Sequence, residues 1–396
     1  MKQVSPGEAS MWLLPSKVLP RRMTDQEVVD KYDSREQRII TESNREKLPN
    51  FVEALKRPGH IILRPFYQRR DRWDAKRQSR LIESFIINIP VPPLFLYEVS
   101  YDSYEVMDGQ QRITAIQAFY SNQLRLTGLE LWPELNGRTY ATLPPRIRAG
   151  IDRRSISSIA LLNESAEDEE EALLLKQLVF GRLNTGGVKL SRQEIRNSLY
   201  QGRMNSLLLE LSRNLIFAQT WDIPQPSAVE QEQTPTELAE NTLYMSMGDA
   251  EIVLRFFALR HAEYFRSGMQ GFLDLYMIRS KRFSNEDIVV LRDLFLTTIQ
   301  LGHDIYGPLL FRPYDVKKGR WANRAHRAFY DAVMVGLSNH LYAQDTLRQR
   351  SGDVIEETQR LFIDNAPGTF TGRGNTKVDI MERIGKFSDM LGRIVS

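Results

Sequence analysis

The 396-residue chain contains no cysteine. A disulfide framework, a cysteine nucleophile and a thiolate metal site are therefore excluded. Long apolar runs are also missing. The most apolar window, FIINIPVPPLFLY from Phe85 to Tyr97, is broken by Pro90, Pro92 and Pro93 and is too short to span a bilayer. The N-terminal MKQVSPGEASMWLLPSKVLP has no sustained hydrophobic segment of the signal-peptide kind. These absences lead to the expectation of a cytoplasmic protein with no membrane partner. Histidine is scarce: His60, His261, His303, His326 and His340 are all there are. No HExxH, no GxxxxGK[ST] loop and no GxSxG elbow occurs, so zincin, P-loop and α/β-hydrolase chemistry are not indicated.

What is present is a balanced but unevenly spread charge. The net charge is only +3, from 53 basic and 50 acidic residues. Between Arg45 and Arg80, however, eleven Lys or Arg face four acids, and ESAEDEEE at 164–171 is the counterweight. The basic stretch suits phosphate, whether of nucleotide or nucleic acid. Its plainer reading is a solvated surface.

With 42% apolar residues the chain can bury a full core. Residues 1–44 are mixed and polar, and Thr24 to Ser43 has the spacing of a peripheral helix. Residues 45–57 read as a short helix stopped by Pro58 and Gly59. Ile61 to Leu63 reads as a strand, broken where Arg64 precedes Pro65. A helix follows with Asp74 as N-cap and Leu81, Ile82, Phe85 and Ile86 on one face. LFLYEV and YEVMD are two strands joined by the polar tip Ser100 to Ser103, and a helix is expected from Ile113. Residues 126–165 carry a short helix and a closing strand. From 166 onward the pattern is helical. Ser191 and Glu194 stand at capping-box spacing, and Gly202 is the expected stop. Residues 220–242, rich in Pro, Gln and Glu, read as a loop. The expected fold is α+β: a peripheral segment 1–44, a small mixed-sheet domain 45–165, and a mainly α-helical domain 166–396.

The turn between the second hairpin strand and its helix is Asp108-Gly109-Gln110-Gln111-Arg112. A helix N-terminus offers free N–H groups and the positive end of the helix dipole, which suits phosphate. Gly109 permits close backbone approach, and Arg112 offers a planar donor fork. Asp108 suits a Mg²⁺-bound water or the ordering of the arginine. Gln110 and Gln111 suit a water, a ribose or a base, and Thr114 lies one turn on. The plainer reading is a capped glycine turn with two exposed amides. A second cluster, FYQRRDRW from Phe66 to Trp73, brings aromatics and Arg69, Arg70 and Arg72. The expectation is that the two loops converge on one anionic ligand. Late in the chain GTFTGRGNTK places Arg373 and Lys377 where they suit a phosphate backbone; an ordinary glycine loop is the plainer reading.

RPFYQRRDRW…FLYE, VMDGQQRITAIQAF and FGRLNTGGVKLSRQEIRNSLYQG together resemble, in order and spacing, the N-terminal domain family of GmrSD-type restriction proteins, within the wider ParB/sulfiredoxin-like fold group. The resemblance covers residues 45–202. It implies a domain that binds and hydrolyses nucleoside triphosphate, with Mg²⁺ expected, in bacterial defence against phage. It makes Asp108, Gly109, Gln110, Gln111 and Arg112 the hydrolysis motif and Tyr67, Gln68 and Arg69 the adjoining loop. Asn184, Gly187, Glu194 and Arg196 form a third block, either functional or architectural. Implied partners are DNA, including modified phage DNA, a separate nuclease subunit, and further copies of the chain. Many such proteins end in an HNH nuclease, but these histidines form no such arrangement. ANRAH, Ala322 to His326, comes nearest and is expected within a helix. Two other readings stay open: a non-hydrolysing ParB-like adaptor, and a DNA nickase in which Glu83 and Asp71 join Asp108.

Overall fold

The computed structural model describes residues 4–13, 24–33, 39–63, 73–162, 169–183, 191–200, 202–225, 236–372 and 374–396. The chain forms two compact units: Val18–Lys189, and Met1–Lys17 together with Leu190–Ser396.

The first unit is built on a five-stranded mixed sheet of order β1-β5-β3-β4-β2. After α1 (Pro6–Met11), which belongs to the other unit, come α2 (Asp25–Asp33), β1 (Thr41–Lys47), α3 (Leu48–Lys56) and β2 (Ile61–Ile62). Next are α4 (Ala75–Ile87), β3 (Leu94–Ser100), β4 (Ser103–Asp108), α5 (Gln110–Tyr120), α6 (Pro145–Asp152), β5 (Ser155–Leu161) and α7 (Glu169–Leu183). β3 and β4 are an antiparallel hairpin, and β2 adds parallel to β4. On the other side β5 lies parallel to β3 and carries β1 antiparallel at the edge. The hairpin tip turns at Asp102, whose φ is 57°.

The apolar spacing of α4 and α5 buries Leu81, Ile82, Phe85, Ile113, Ile116 and Phe119 against Leu94, Leu96, Val106 and Ile156 of the sheet. Each such side chain contributes about 1.5–3 kcal/mol on burial. Alternation along the strands turns Tyr97 and Glu105 to the opposite face. There Lys176 of α7 pairs with Glu105 at 2.7 Å and lies 3.8 Å over the Tyr97 ring.

The local signals for α4 hold. Asp74 accepts from the Arg77 N–H at 2.7 Å, and the helix ends at Asn88 in the left-handed conformation, before Pro90. Two expectations are corrected. Thr41–Lys47, read in part as helix, is strand β1; six of its seven residues are exposed, so it has no apolar alternation to reveal it. α5 starts at Gln110 rather than Ile113, which puts Gln110, Gln111 and Arg112 inside the first helical turn.

The second unit is helical. It comprises α1, then α8 (Arg192–Leu199), α9 (Arg203–Leu211), α10 (Leu215–Thr220), α11 (Thr236–Glu240), α12 (Thr242–Met245), α13 (Gly248–Leu259) and α14 (Gly268–Arg279). After these come α15 (Asn285–Tyr306), α16 (Arg327–Asn339), α17 (Gln344–Gln349), α18 (Ser351–Asp364) and α19 (Lys377–Val395), with the small hairpin β6 (Tyr314–Asp315) and β7 (Arg320–Trp321). α13 is buried along its whole length. A helix buried all round must pair its polar groups. Arg255 accordingly forms a buried ion pair with Asp331 of α16. The expected capping box of Ser191 and Glu194 is present, whereas Gly202 begins α9 instead of closing α8.

Candidate functional site at the strand–helix turn

Asp108 is the last residue of β4 and pairs with Phe95 of β3. Gly109 follows with φ 100°, and a methyl group placed on it would lie 2.4 Å from Leu94 Cδ2. Only glycine meets both demands, and the tight exit aims the first turn of α5 outward from the strand end. The first-turn N–H groups have no intrahelical carbonyl to bond.

Arg112 closes this turn. Its Nη2 donates to Asp108 Oδ2 at 2.8 Å and to the Pro93 carbonyl at 3.2 Å. The Arg112 side chain is 14% exposed and that of Asp108 39%. Among the described residues, the Nε of Arg112 meets no acceptor. The arginine is thus anchored on one edge by the strand end and the segment entering β3.

Gln110 and Gln111 part company. Gln110 is 5% exposed, and its carbonyl accepts the Thr114 hydroxyl at 2.9 Å. Thr114 therefore spends its proton on its own helix. Gln111 is half-buried, and its Oε1 accepts the Trp73 backbone N–H at 3.3 Å. Trp73 packs against the sheet-unit core, and its carbonyl accepts from Gln78 at 2.9 Å. The residue that ends the aromatic–arginine stretch is therefore fastened to the motif. Tyr67, Gln68, Arg69, Arg70, Asp71 and Arg72 lie outside the described residues, as do Asn184, Gly187 and Arg373.

Other expected participants are engaged elsewhere. Glu83 accepts the backbone N–H groups of Glu130, Leu131 and Trp132 at 3.1, 2.8 and 3.0 Å. Burial pushes its pKa up, but those three hydrogen bonds and the Arg80 charge outweigh it and hold the carboxyl below its ordinary value. It clamps the 130–132 loop. Glu194 caps α8, and Arg196 is buried in the helical unit. Arg196 donates to Asp274 at 2.6 Å and Glu251 at 3.0 Å, partners 78 and 55 positions along the chain that its sequence neighbours could not reveal. Lys377 donates to the Glu263 carbonyl. The ANRAH stretch precedes α16 rather than lying in a helix; its His326 N–H donates to the Phe311 carbonyl at 2.8 Å.

Residues 50–201 match the family described as GmrSD restriction endonuclease, N-terminal domain. The resemblance read from the motifs is a GmrSD-type N-terminal domain match in fact. No curated protein and no solved structure matches the chain. The GmrSD-type region covers the sheet unit from α3 onward and runs past residue 189 into α8 of the helical unit.

The chemistry of the donor set bears on Mg²⁺. Among the described residues no group of three or more acids or histidines is placed to hold a metal. The turn offers one solvent-open carboxylate, Asp108. That fits a Mg²⁺ ion held by one carboxylate, water and substrate phosphates, not an all-protein cage.

Proposed function

We propose that the GmrSD-type region binds a nucleoside triphosphate at the β4–α5 turn and hydrolyses it, as the sensor or motor of a bacterial anti-phage restriction system. The observation that supports this best is Arg112 held at the mouth of a helix N-terminus beside the open carboxylate of Asp108. Phosphate oxygens gather the first-turn N–H groups of α5, and Arg112 exchanges its Asp108 bond for the phosphoryl group. Its positive charge then stabilises the charge that develops in transfer. Asp108 would hold Mg²⁺ through its open carboxylate, and the ion would supply charge neutralisation of the phosphate oxygens. Gln111, steadied by Trp73, orients water. Hydrolysis would gate DNA or a separate nuclease subunit.

Phosphate release from UTP, GTP, CTP and ATP by wild type and Arg112→Ala tests the reading. The variant is expected to lose about 10²–10³-fold in rate, the scale of removing a charge-stabilising donor. Arg112→Lys and circular dichroism control for the loss of the Pro93 contact. Equal rates in wild type and variant would remove the proposal. One observation favours a second reading, a non-hydrolysing nucleotide or DNA adaptor: the burial of Gln110 leaves a single amide at the surface of the turn. An adaptor would bind labelled triphosphate, or DNA in a salt-sensitive way, and release no phosphate.

A further inference from the structure

The helical unit holds the chain's own N-terminal segment as a receptor holds a peptide. Glu8 of α1 is 0% exposed, and three side chains from far along the chain converge on its carboxylate. Arg260 Nη1 donates to both oxygens at 3.0 Å, and Nε2 of His261 and the Tyr276 hydroxyl each lie 3.0 Å from Oε1. Four residues on, the Trp12 ring stacks on Tyr264 with centroids 4.7 Å apart and planes 2° apart. Phe272 stacks 5.7 Å away, and the Arg279 guanidinium lies 5.6 Å over the indole. The backbone is read as well. Arg279 donates to the Met11 carbonyl at 2.9 Å, and Asp287 accepts the Gly7 N–H at 2.8 Å. Gly7 sits so close that a methyl group there would lie 2.6 Å from Asp287 Oδ2.

A charged anchor, an aromatic slot and backbone contacts at both ends are the parts of a peptide-recognition site. The groove cannot stand empty, because Arg260, His261 and Tyr276 are all buried and would lose their common acceptor. An occupant that replaces this acceptor brings a carboxylate, and one that also fills the slot beside Tyr264 and Phe272 brings an aromatic ring one helical turn on. The fit to the chain's own segment is not complete: the Trp12 Nε1 is buried and meets no acceptor among the described residues. The segment is joined to the rest of its unit only through residues 18–189. No short loop binds it to its own groove, and exchange between copies would keep every contact.

We propose that this groove is a docking site for a short Ser-x-x-Glu-x-x-x-Trp helix, closed in cis by residues 4–13 and able to take the same segment from a second copy of the chain. A fluorescent peptide of residues 4–13 is titrated into the intact chain and into the full-length Trp12→Ala chain, whose own segment is loosened while Arg260, His261 and Tyr276 remain to receive the peptide's carboxylate. The variant is expected to bind the peptide one to one and at least tenfold more tightly than wild type. A Glu8→Gln peptide is expected to lose at least tenfold against the same variant. Gly7→Ala, which crowds Asp287 and Phe283, loosens the segment by a different route and reads out the same way if Trp12→Ala folds poorly. No binding to either variant, equal binding to variant and wild type, or indifference to Glu8→Gln would each overturn the proposal.

Discussion

Gly109 has two independent reasons to be glycine, a φ of 100° and a neighbour that a methyl group would meet at 2.4 Å. Gly109→Ala is expected to cost roughly 2 kcal/mol of stability, from backbone strain plus overpacking against Leu94. Urea melts followed by circular dichroism would read this, and an unchanged midpoint would refute the packing account. The motif was legible as residues because a strand, a glycine and a polar turn form a local pattern. How its members divide the work was not. Gln110 and Gln111 are adjacent and chemically identical, yet helix periodicity sends one inward and leaves the other half-buried beside Trp73. Glu83 was a candidate acid from its type alone, and only the fold shows its oxygens on the backbone of residues 130–132.

At the scale of the element, α1 carries a stability device that its six residues do not announce. Burial alone would raise the Glu8 carboxyl. The His261 hydrogen bond, the charges of Arg260 and His261, and the Tyr276 hydroxyl outweigh it and lower the pKa from 4.5 to about 2. A carboxyl depressed by folding stabilises the native state fully above its unfolded pKa and loses that contribution as pH falls through the folded one. The window here runs from 4.5 down to about 2, and the contribution is on the order of 3 kcal/mol. Thermal melts of wild type and Glu8→Gln should differ most at about pH 6 and converge toward about pH 2. A gap that stayed constant across that range would sink the assignment. The Ser-x-x-Glu box was there to read, but Glu8's partners lie 252 to 268 positions away, beyond any local pattern. β1 escaped for the opposite reason. A strand exposed along almost its whole length needs no hydrophobic alternation, whereas α4 buries one face and so shows its period, and β3 and β4 bury neighbouring apolar residues and stand out as apolar runs.

At the scale of the whole chain, the sheet unit is an insertion: the helical unit begins with residues 1–17 and resumes at 190. The sequence boundary drawn at 166 followed helical content, which says nothing about which sheet or bundle a helix joins. α7 packs by its Lys176 onto the sheet strand that carries Glu105, and α1 packs onto α15 and is held to α14 by the Tyr276 hydroxyl on Glu8. A chain of residues 190–396 alone therefore lacks the acceptor for Arg260, His261 and Tyr276. Removing one partner of a buried pair costs about 3–5 kcal/mol, a large share of the 5–15 kcal/mol that holds a typical domain together. Residues 1–17 joined to 190–396 by a flexible Gly/Ser linker of about twenty residues restore it. The joined chain is expected to melt cooperatively, and the 190–396 chain to melt well below it or to stay unfolded. Glu8→Gln in the joined chain should return most of that loss. If the 190–396 chain melts at the same temperature as the joined one, α1 is dispensable and the helical unit ends where its second segment does.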